Sequence, residues 1–164
     1  MNRPFIIVSP GRSGSSFVAK TFHDAGVWGG KLVPGNQHNP DGYYENAQFN
    51  NMFKGLYGKD WATGEFPEER LEWHGAVLKV LFQEGLKQGQ PWFVKCGAFY
   101  WKIWQSFSPV YIKVWRSYPD IWKSYDKTHM LNQFSDEEIK TIIQRQLTEM
   151  EGIPGLDVHI GTTP

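Results

Sequence analysis

Cysteine is almost absent from the chain. Cys96 stands alone, which excludes an intrachain disulfide and leaves no basis for a thiolate metal centre. Long hydrophobic runs are missing too. No stretch approaches the roughly 18 apolar residues of a membrane-spanning helix, and Met1-Asn2-Arg3-Pro4 leads straight into a short apolar run rather than the longer one of a secretory signal. The expectation is a cytoplasmic protein with no membrane partner. Net charge is also lacking: 17 Lys and Arg offset 17 Asp and Glu. A broad basic field that would attract duplex nucleic acid is therefore not expected, and any positive charge used in recognition must be local. His, Cys, Asp and Glu form no obvious metal cluster in the sequence, so no metal is expected.

What is present fits one globular domain over residues 1–164, a size at which roughly 70% of the unfolded surface is buried on folding. Aromatic residues make up 16% of the chain, including eight Trp and eleven Phe. Most are expected in the core; the remainder suit the wall of a pocket for a flat ligand.

Phe5-Ile6-Ile7-Val8 is a short apolar run ending in Ser9-Pro10-Gly11, the pattern of a strand buried on both faces. A helix is expected from about Phe17 to Gly26, and Val27 to Tyr44 is rich in Gly, Pro and Asn without a period. An irregular stretch of that length in a compact domain usually serves function. Asn46 to Tyr57 reads as a helix, Gly58 to Glu72 as a loop, and Gly75 to Lys87 as a helix presenting Val77, Leu78, Leu81 and Phe82. Pro91 to Cys96 and Val110 to Trp115 read as strands, with a short helix between them over Ala98 to Phe107. Pro119 marks the start of a helix over Asp120 to Met130. Ser135, followed by Asp136-Glu137-Glu138, caps another to about Met150, and Leu156 to Ile160 reads as a last strand. Strands alternating with helices indicate a mostly parallel sheet covered on both faces.

Chemistry concentrates at two strand ends. After the first strand comes Pro10-Gly11-Arg12-Ser13-Gly14-Ser15-Ser16-Phe17. A strand, a glycine-bearing loop and a helix aim backbone N–H groups and a helix N-terminus at an anion. Gly11 and Gly14 permit the turn, Ser13, Ser15 and Ser16 add hydroxyls, and Arg12 adds a forked permanent charge. The loop is not that of a Mg²⁺-nucleotide triphosphatase, which needs Lys after its second Gly; here Ser15 follows Gly14. The second end is Arg116, after Trp115, with Ser124 eight residues on in the following helix. It stands at the carboxyl edge of the sheet, where open α/β folds bind ligands.

In these segments, and in Asn39-Pro40-Asp41-Gly42-Tyr43-Tyr44-Glu45, the chain resembles the PAPS-dependent sulfotransferases, in particular a small bacterial or phage-like member. The resemblance covers about residues 5–26, 39–45 and 110–125. It implies a P-loop-containing, nucleotide-kinase-like three-layer α/β fold. It implies that Gly11 to Phe17 hold the 5′-phosphosulfate of 3′-phosphoadenosine 5′-phosphosulfate (PAPS), and that Arg116 and Ser124 hold the 3′-phosphate. The reaction implied is in-line transfer of a sulfuryl group to a hydroxyl or amine of a small-molecule or glycan acceptor, without a metal. Many bacterial members carry Arg at the position of Arg12, where cytosolic members have Lys. Arg does not readily give up its proton, so Arg12 acts electrostatically.

The His that cytosolic members place two residues after a strand-end Lys is missing, because Lys95-Cys96-Gly97 stands there. Lys95 remains a contact to the sulfuryl group. The base falls to Glu45 by analogy with other branches, with His38 second and Asp41 third. Phe99, Tyr100, Trp101 and Trp104 are candidates for the border of the acceptor pocket. The glycine-rich nucleotide contact of larger members has no counterpart here. The expectation is a shallower adenosine site, or one completed by a second copy in a homo-oligomer. A kinase-like phosphotransferase and a non-catalytic nucleotide-binding remnant are the alternatives.

Overall fold

Short runs of β-branched and aromatic residues build the sheet, and each alternates its side chains between two helical layers. The computed structural model describes residues 1–57, 71–129 and 131–161. Its strands are β1 (Phe5–Ser9), β2 (Phe93–Gly97), β3 (Val110–Trp115) and β4 (Leu156–His159). They pair in the order β2-β1-β3-β4, and every pairing is parallel. The helices are α1 (Ser15–Asp24), α2 (Ala47–Tyr57), α3 (Leu71–Gln83), α4 (Tyr118–Thr128) and α5 (Asp136–Glu151), with a 3₁₀ helix over Ala98–Phe107.

Alternation along β1 fixes the layers. Ile6 and Val8 face a large cluster formed with Phe49 and Phe53 of α2, Val77 and Leu81 of α3, Trp104 of the 3₁₀ helix and Met150 of α5. Ile7 faces the opposite side, where Val18 and Ala19 of α1 pack with Phe93 and Ile112. The result is an all-parallel sheet between two helical layers. Among the described residues no helix is long and apolar enough to cross a membrane.

Three expectations are corrected. The third helix runs from Leu71 to Gln83, four residues earlier than its sequence pattern suggested, because Gly85 (φ +86°) turns the chain away. Its buried positions are Trp73, Val77, Val80 and Leu81, a helical i, i+4, i+7, i+8 set, whereas Phe82 is 85% exposed. The aromatic stretch after β2 does not line the cavity at the strand ends. Phe99, Trp101 and Trp104 are buried in the core, and Tyr100 stacks on Phe53 at 4.3 Å between ring centroids. Residues 58–70 of the expected loop, and Met130 at the expected end of α4, lie outside the described residues. Cys96 is buried, and that burial pushes its thiol up to about 12, so the thiolate is suppressed at neutral pH.

Phe49, 1% exposed and edge-on to Trp104 at 5.2 Å, tests the larger cluster. Phe49→Ala is expected to lower stability by roughly 3–5 kcal/mol in urea unfolding. Phe82→Ala, on the exposed face, should change it by no more than about 0.5 kcal/mol. Equal losses for the two would show that the cluster is wrongly drawn.

Candidate functional site

The chain leaves β1 towards β2 on one side and leaves β3 towards β4 on the other, so the carboxyl ends of β1 and β3 flank a topological switch point. Open α/β sheets form their ligand crevice at such a point. Here the crevice is a cavity of about 460 Å³, within the range of small-molecule sites. It is lined by Gly11, Arg12 and Gly14 to Phe17 after β1, Lys95 on β2, Arg116 after β3, Ser124 and Tyr125 on α4, Leu131 beyond it, and His38, Asn39, Tyr43 and Glu45 from the irregular segment. Two strand ends and a loop, far apart in sequence, thus face one space.

The β1 loop takes its shape from left-handed backbone. Gly11 (φ +75°), Arg12 (φ +49°) and Gly14 (φ +86°) all lie in that region. A Cβ on Gly11 would stand 2.5 Å from Tyr125 Oη, so Gly is required there by conformation and by space. Arg12 adopts the left-handed region at a cost of roughly 1–2 kcal/mol, and its neighbours hold it there. Its carbonyl accepts from Arg116 Nη1 at 3.0 Å, and its own Nε donates to Ser124 Oγ at 2.9 Å. Tyr125 Oη donates to the Pro10 carbonyl at 3.3 Å. Burial pushes this phenol up to about 12, against the opposing pull of Arg12, so it stays a neutral donor over the ordinary pH range.

Gly14 is the N-cap of α1, and no side chain caps that helix. Its first turn also carries no acidic residue, so its positive end faces the cavity without a counter-charge of its own. Ser16 Oγ donates to the Tyr43 carbonyl at 3.3 Å and accepts from Asn39 Nδ2 at 3.2 Å, tying the irregular segment over the helix start. Ser13 behaves differently from expectation. It is fully buried and does not line the cavity, and its hydroxyl is a buried polar group without a hydrogen-bond partner among the described residues. Phe17, by contrast, is 71% exposed and lines the cavity.

Opposite the loop stands an ion pair. Lys95 Nζ donates to Glu45 Oε1 at 2.9 Å, and Asn50 Nδ2 donates to Glu45 Oε2 at 2.8 Å. The Lys95 side chain is only 8% exposed, so the Glu45 carboxylate offsets the water its ammonium has lost. Glu45 is aimed from behind by Asn46, whose Oδ1 accepts from the N–H groups of Gln48 and Phe49 and caps α2. Asn46 Nδ2 donates to the Gly29 carbonyl and to Glu84 Oε2. Of the three carboxyl and imidazole groups expected as bases, Glu45 and His38 line the cavity and Asp41 does not.

The structure therefore brings together Gly11, Arg12, Gly14, Ser15, Ser16, Phe17, His38, Glu45, Lys95, Arg116 and Ser124. Sequence reasoning missed Tyr125, Tyr43, Asn39 and the Glu45 anchor Asn50. Tyr125 had a signal, since it directly follows Ser124; Asn39 and Tyr43 depend on the path of the irregular segment, and Asn50 on where α2 begins.

No family model matches this chain, and none of the curated proteins does. Among solved structures it is similar to TT1252 from Thermus thermophilus, with a TM-score of 0.55 and 13% identity over 99% of this chain and 91% of that one. At that identity the likeness speaks for the α/β architecture alone.

The contact between Gly11 and Tyr125 gives a direct test of the loop. Gly11→Ala should destabilise the fold by roughly 1–3 kcal/mol, from left-handed strain plus displacement of the phenol. Adding Tyr125→Phe removes the clashing oxygen and should recover part of that loss, a non-additivity of at least about 0.5 kcal/mol in a double-mutant cycle. Strict additivity would mean that the two residues do not touch.

Proposed function

We propose that this protein is a PAPS-dependent sulfotransferase built on a P-loop-containing, nucleotide-kinase-like form of the three-layer fold. The observation that carries this reading is the convergence of Arg12 and Arg116, from two different strand ends, on one cavity that also holds the uncapped start of α1. Bare backbone donors, a helix N-terminus and guanidinium groups form a donor set suited to phosphate and sulfate oxygens and poorly suited to a neutral ligand.

On this reading the 5′ end of the nucleotide rests on the Gly11–Phe17 loop and its 3′-phosphate is held by Arg116 and Ser124. When bound, PAPS supplies an activated sulfuryl group whose transfer sheds charge onto the leaving phosphate. Arg12 and the first amides of α1 are the groups available to stabilise that charge, and each such donor typically contributes about 10²–10³ in rate. Arg12 stays protonated throughout and is oriented for this by Ser124. Glu45 is the base for the acceptor hydroxyl or amine. Its Oε1 becomes free to take a proton when Lys95 exchanges that carboxylate for an anionic group of the ligand, so the Lys95–Glu45 pair links donor binding to base activation. His38 stands at the same cavity as a second polar group for the acceptor. The acceptor is a small molecule or a glycan.

Titration calorimetry with 3′,5′-adenosine bisphosphate, PAPS and Mg²⁺-ATP tests the assignment. The bisphosphate is expected to bind in preference to Mg²⁺-ATP, and Arg12→Ala to weaken it roughly 10- to 100-fold, the loss of one charge-assisted hydrogen bond. Preference for Mg²⁺-ATP would replace the sulfotransferase with a kinase-like phosphotransferase. Bisphosphate binding without transfer to any acceptor would leave a nucleotide-binding remnant.

Glu45→Gln tests the base separately. It should lower the transfer rate by about 10²–10⁴ without weakening bisphosphate binding, since Lys95 no longer has to leave a carboxylate to reach the ligand. Full activity in Glu45→Gln would remove Glu45 from the chemistry.

A further inference from the structure

The two edges of the sheet are protected to different degrees. Along β2 the chain after α1 joins in: Phe93 N–H donates to the Trp28 carbonyl, and Trp28 N–H to the Pro91 carbonyl. Among the described residues nothing pairs with the outer side of β4. That strand also lacks the Pro, Lys or bulge with which exposed edges are commonly blunted.

Pairing with β3 fixes which backbone groups of β4 face outward. Ile160 N–H donates to the Trp115 carbonyl at 2.8 Å, so Leu156, Val158 and Ile160 turn their backbone groups towards β3. Asp157 and His159 turn theirs away from it. Side chains follow the same period. Val158 and Ile160 pack into the smaller core cluster, and Leu156 shares their face but is 61% exposed. On the other face Asp157 Oδ1 accepts from Lys113 Nζ at 3.1 Å and from Trp115 Nε1 at 2.7 Å, while the His159 ring stacks against Trp115. Asp157 Oδ2 and both His159 ring nitrogens are without a hydrogen-bond partner among the described residues.

Leu156-Asp157-Val158-His159-Ile160 is thus complementary to its own reverse: apolar ends, an acid and a base, and Val at the centre. We propose that β4 is a dimer edge, pairing antiparallel with β4 of a second copy about a two-fold axis at Val158. Asp157 then lies opposite the partner's His159, and Leu156 opposite the partner's Ile160. Both members of the Asp157–His159 pair turn their backbone outward, so they exchange main-chain hydrogen bonds, and the imidazole reaches the carboxylate. A slip of one residue would set outward groups against inward ones. A slip of two would set Asp157 against Asp157 or His159 against His159, so one register is selected. The same patch serves both copies, as an isologous contact requires.

Sedimentation equilibrium of the full chain should show a monomer–dimer equilibrium. Across the axis Val158 meets its own copy as a non-hydrogen-bonded pair, with Cα atoms about 4.5 Å apart and within disulfide reach. Val158→Cys should therefore cross-link under mild oxidation. Leu156→Cys should not, because it stands roughly 13 Å from its own copy. Cys96 is buried and takes no part. His159→Asp opposes like charges in both pairs and should raise the dissociation constant roughly 5- to 30-fold. Phe82→Ser, which removes an exposed ring from α3, should leave it unchanged. The pairing is overturned by a parent that stays monomeric at roughly 1 mM, by cross-linking through Leu156→Cys, or by a dimer indifferent to His159→Asp. Should His159→Asp fail to fold, the two cysteine variants decide. None of these readouts involves a nucleotide, so failure here leaves the proposed function untouched.

Discussion

The left-handed turn at Gly11 and Arg12, pressed against α4, is the constraint on which the site depends. Gly11 leaves no room for a Cβ because the Tyr125 phenol stands there, and that phenol is held by the carbonyl of Pro10 just before it. Arg12 adopts a conformation that costs roughly 1–2 kcal/mol. Two charge-assisted hydrogen bonds, from Arg116 to its carbonyl and from its own Nε to Ser124, return roughly 1.5–3 kcal/mol each before screening by solvent. The balance favours a loop that is shaped before any ligand arrives. Because the partners come from β3 and α4, the second half of the sheet fixes the geometry of a loop that belongs to the first half.

The opposite wall obeys a different rule. Lys95 is nearly buried on β2, and a buried cation with no counter-charge is severely destabilising. The partner comes from outside the sheet, on the irregular segment that ends at Tyr44, itself left-handed at φ +57°. Asn46 then turns the chain into α2 and ties it to Gly29 and Glu84. The segment is therefore held at both ends of its span over the cavity: at Ser16 through Asn39 and Tyr43, and at Lys95 through Glu45. Its polar composition reflects this work, since each of those bonds requires a donor or an acceptor rather than an apolar contact.

β1, β2 and β3 were legible because they are buried on both faces and read as largely apolar runs bounded by Gly and Pro, whereas β4 is mostly exposed. The junctions at Gly11–Ser16 and Arg116–Ser124 were legible because each combines a strand end with residues of unusual local chemistry. What could not be read was pairing across distance. Arg12 and Ser124 are 112 positions apart and Lys95 and Glu45 are 50 apart, and no local pattern announces either contact. The phase of α3 was misjudged because Leu78 and Phe82 satisfy a helical period as well as Trp73 and Val80 do; tertiary packing chose the latter pair. Trp101 and Trp104 suggested a ligand wall by their chemistry, yet the 3₁₀ helix turns them under the sheet.

The treatment of helix starts explains how a chain with no net charge can favour an anion at one place. α3, α4 and α5 each carry acidic residues in their first turn: Glu72, Asp120, and Asp136 with Glu137 and Glu138. α2 carries none, but the side chain of Asn46 accepts from its first amides. Among the described residues, four of the five α-helices thus offset their positive ends from within the chain. α1 has neither a capping side chain nor a first-turn acid, and it is the helix whose start faces the cavity with Arg12 and Arg116. A uniformly basic surface would draw polyanions to every face. Here an uncapped helix start and two guanidinium groups share a crevice of a few hundred cubic ångströms, where low-dielectric walls reduce screening and strengthen electrostatic interactions. On the proposed reading, a small, multiply charged ligand is selected by that placement, without any excess of basic residues in the chain.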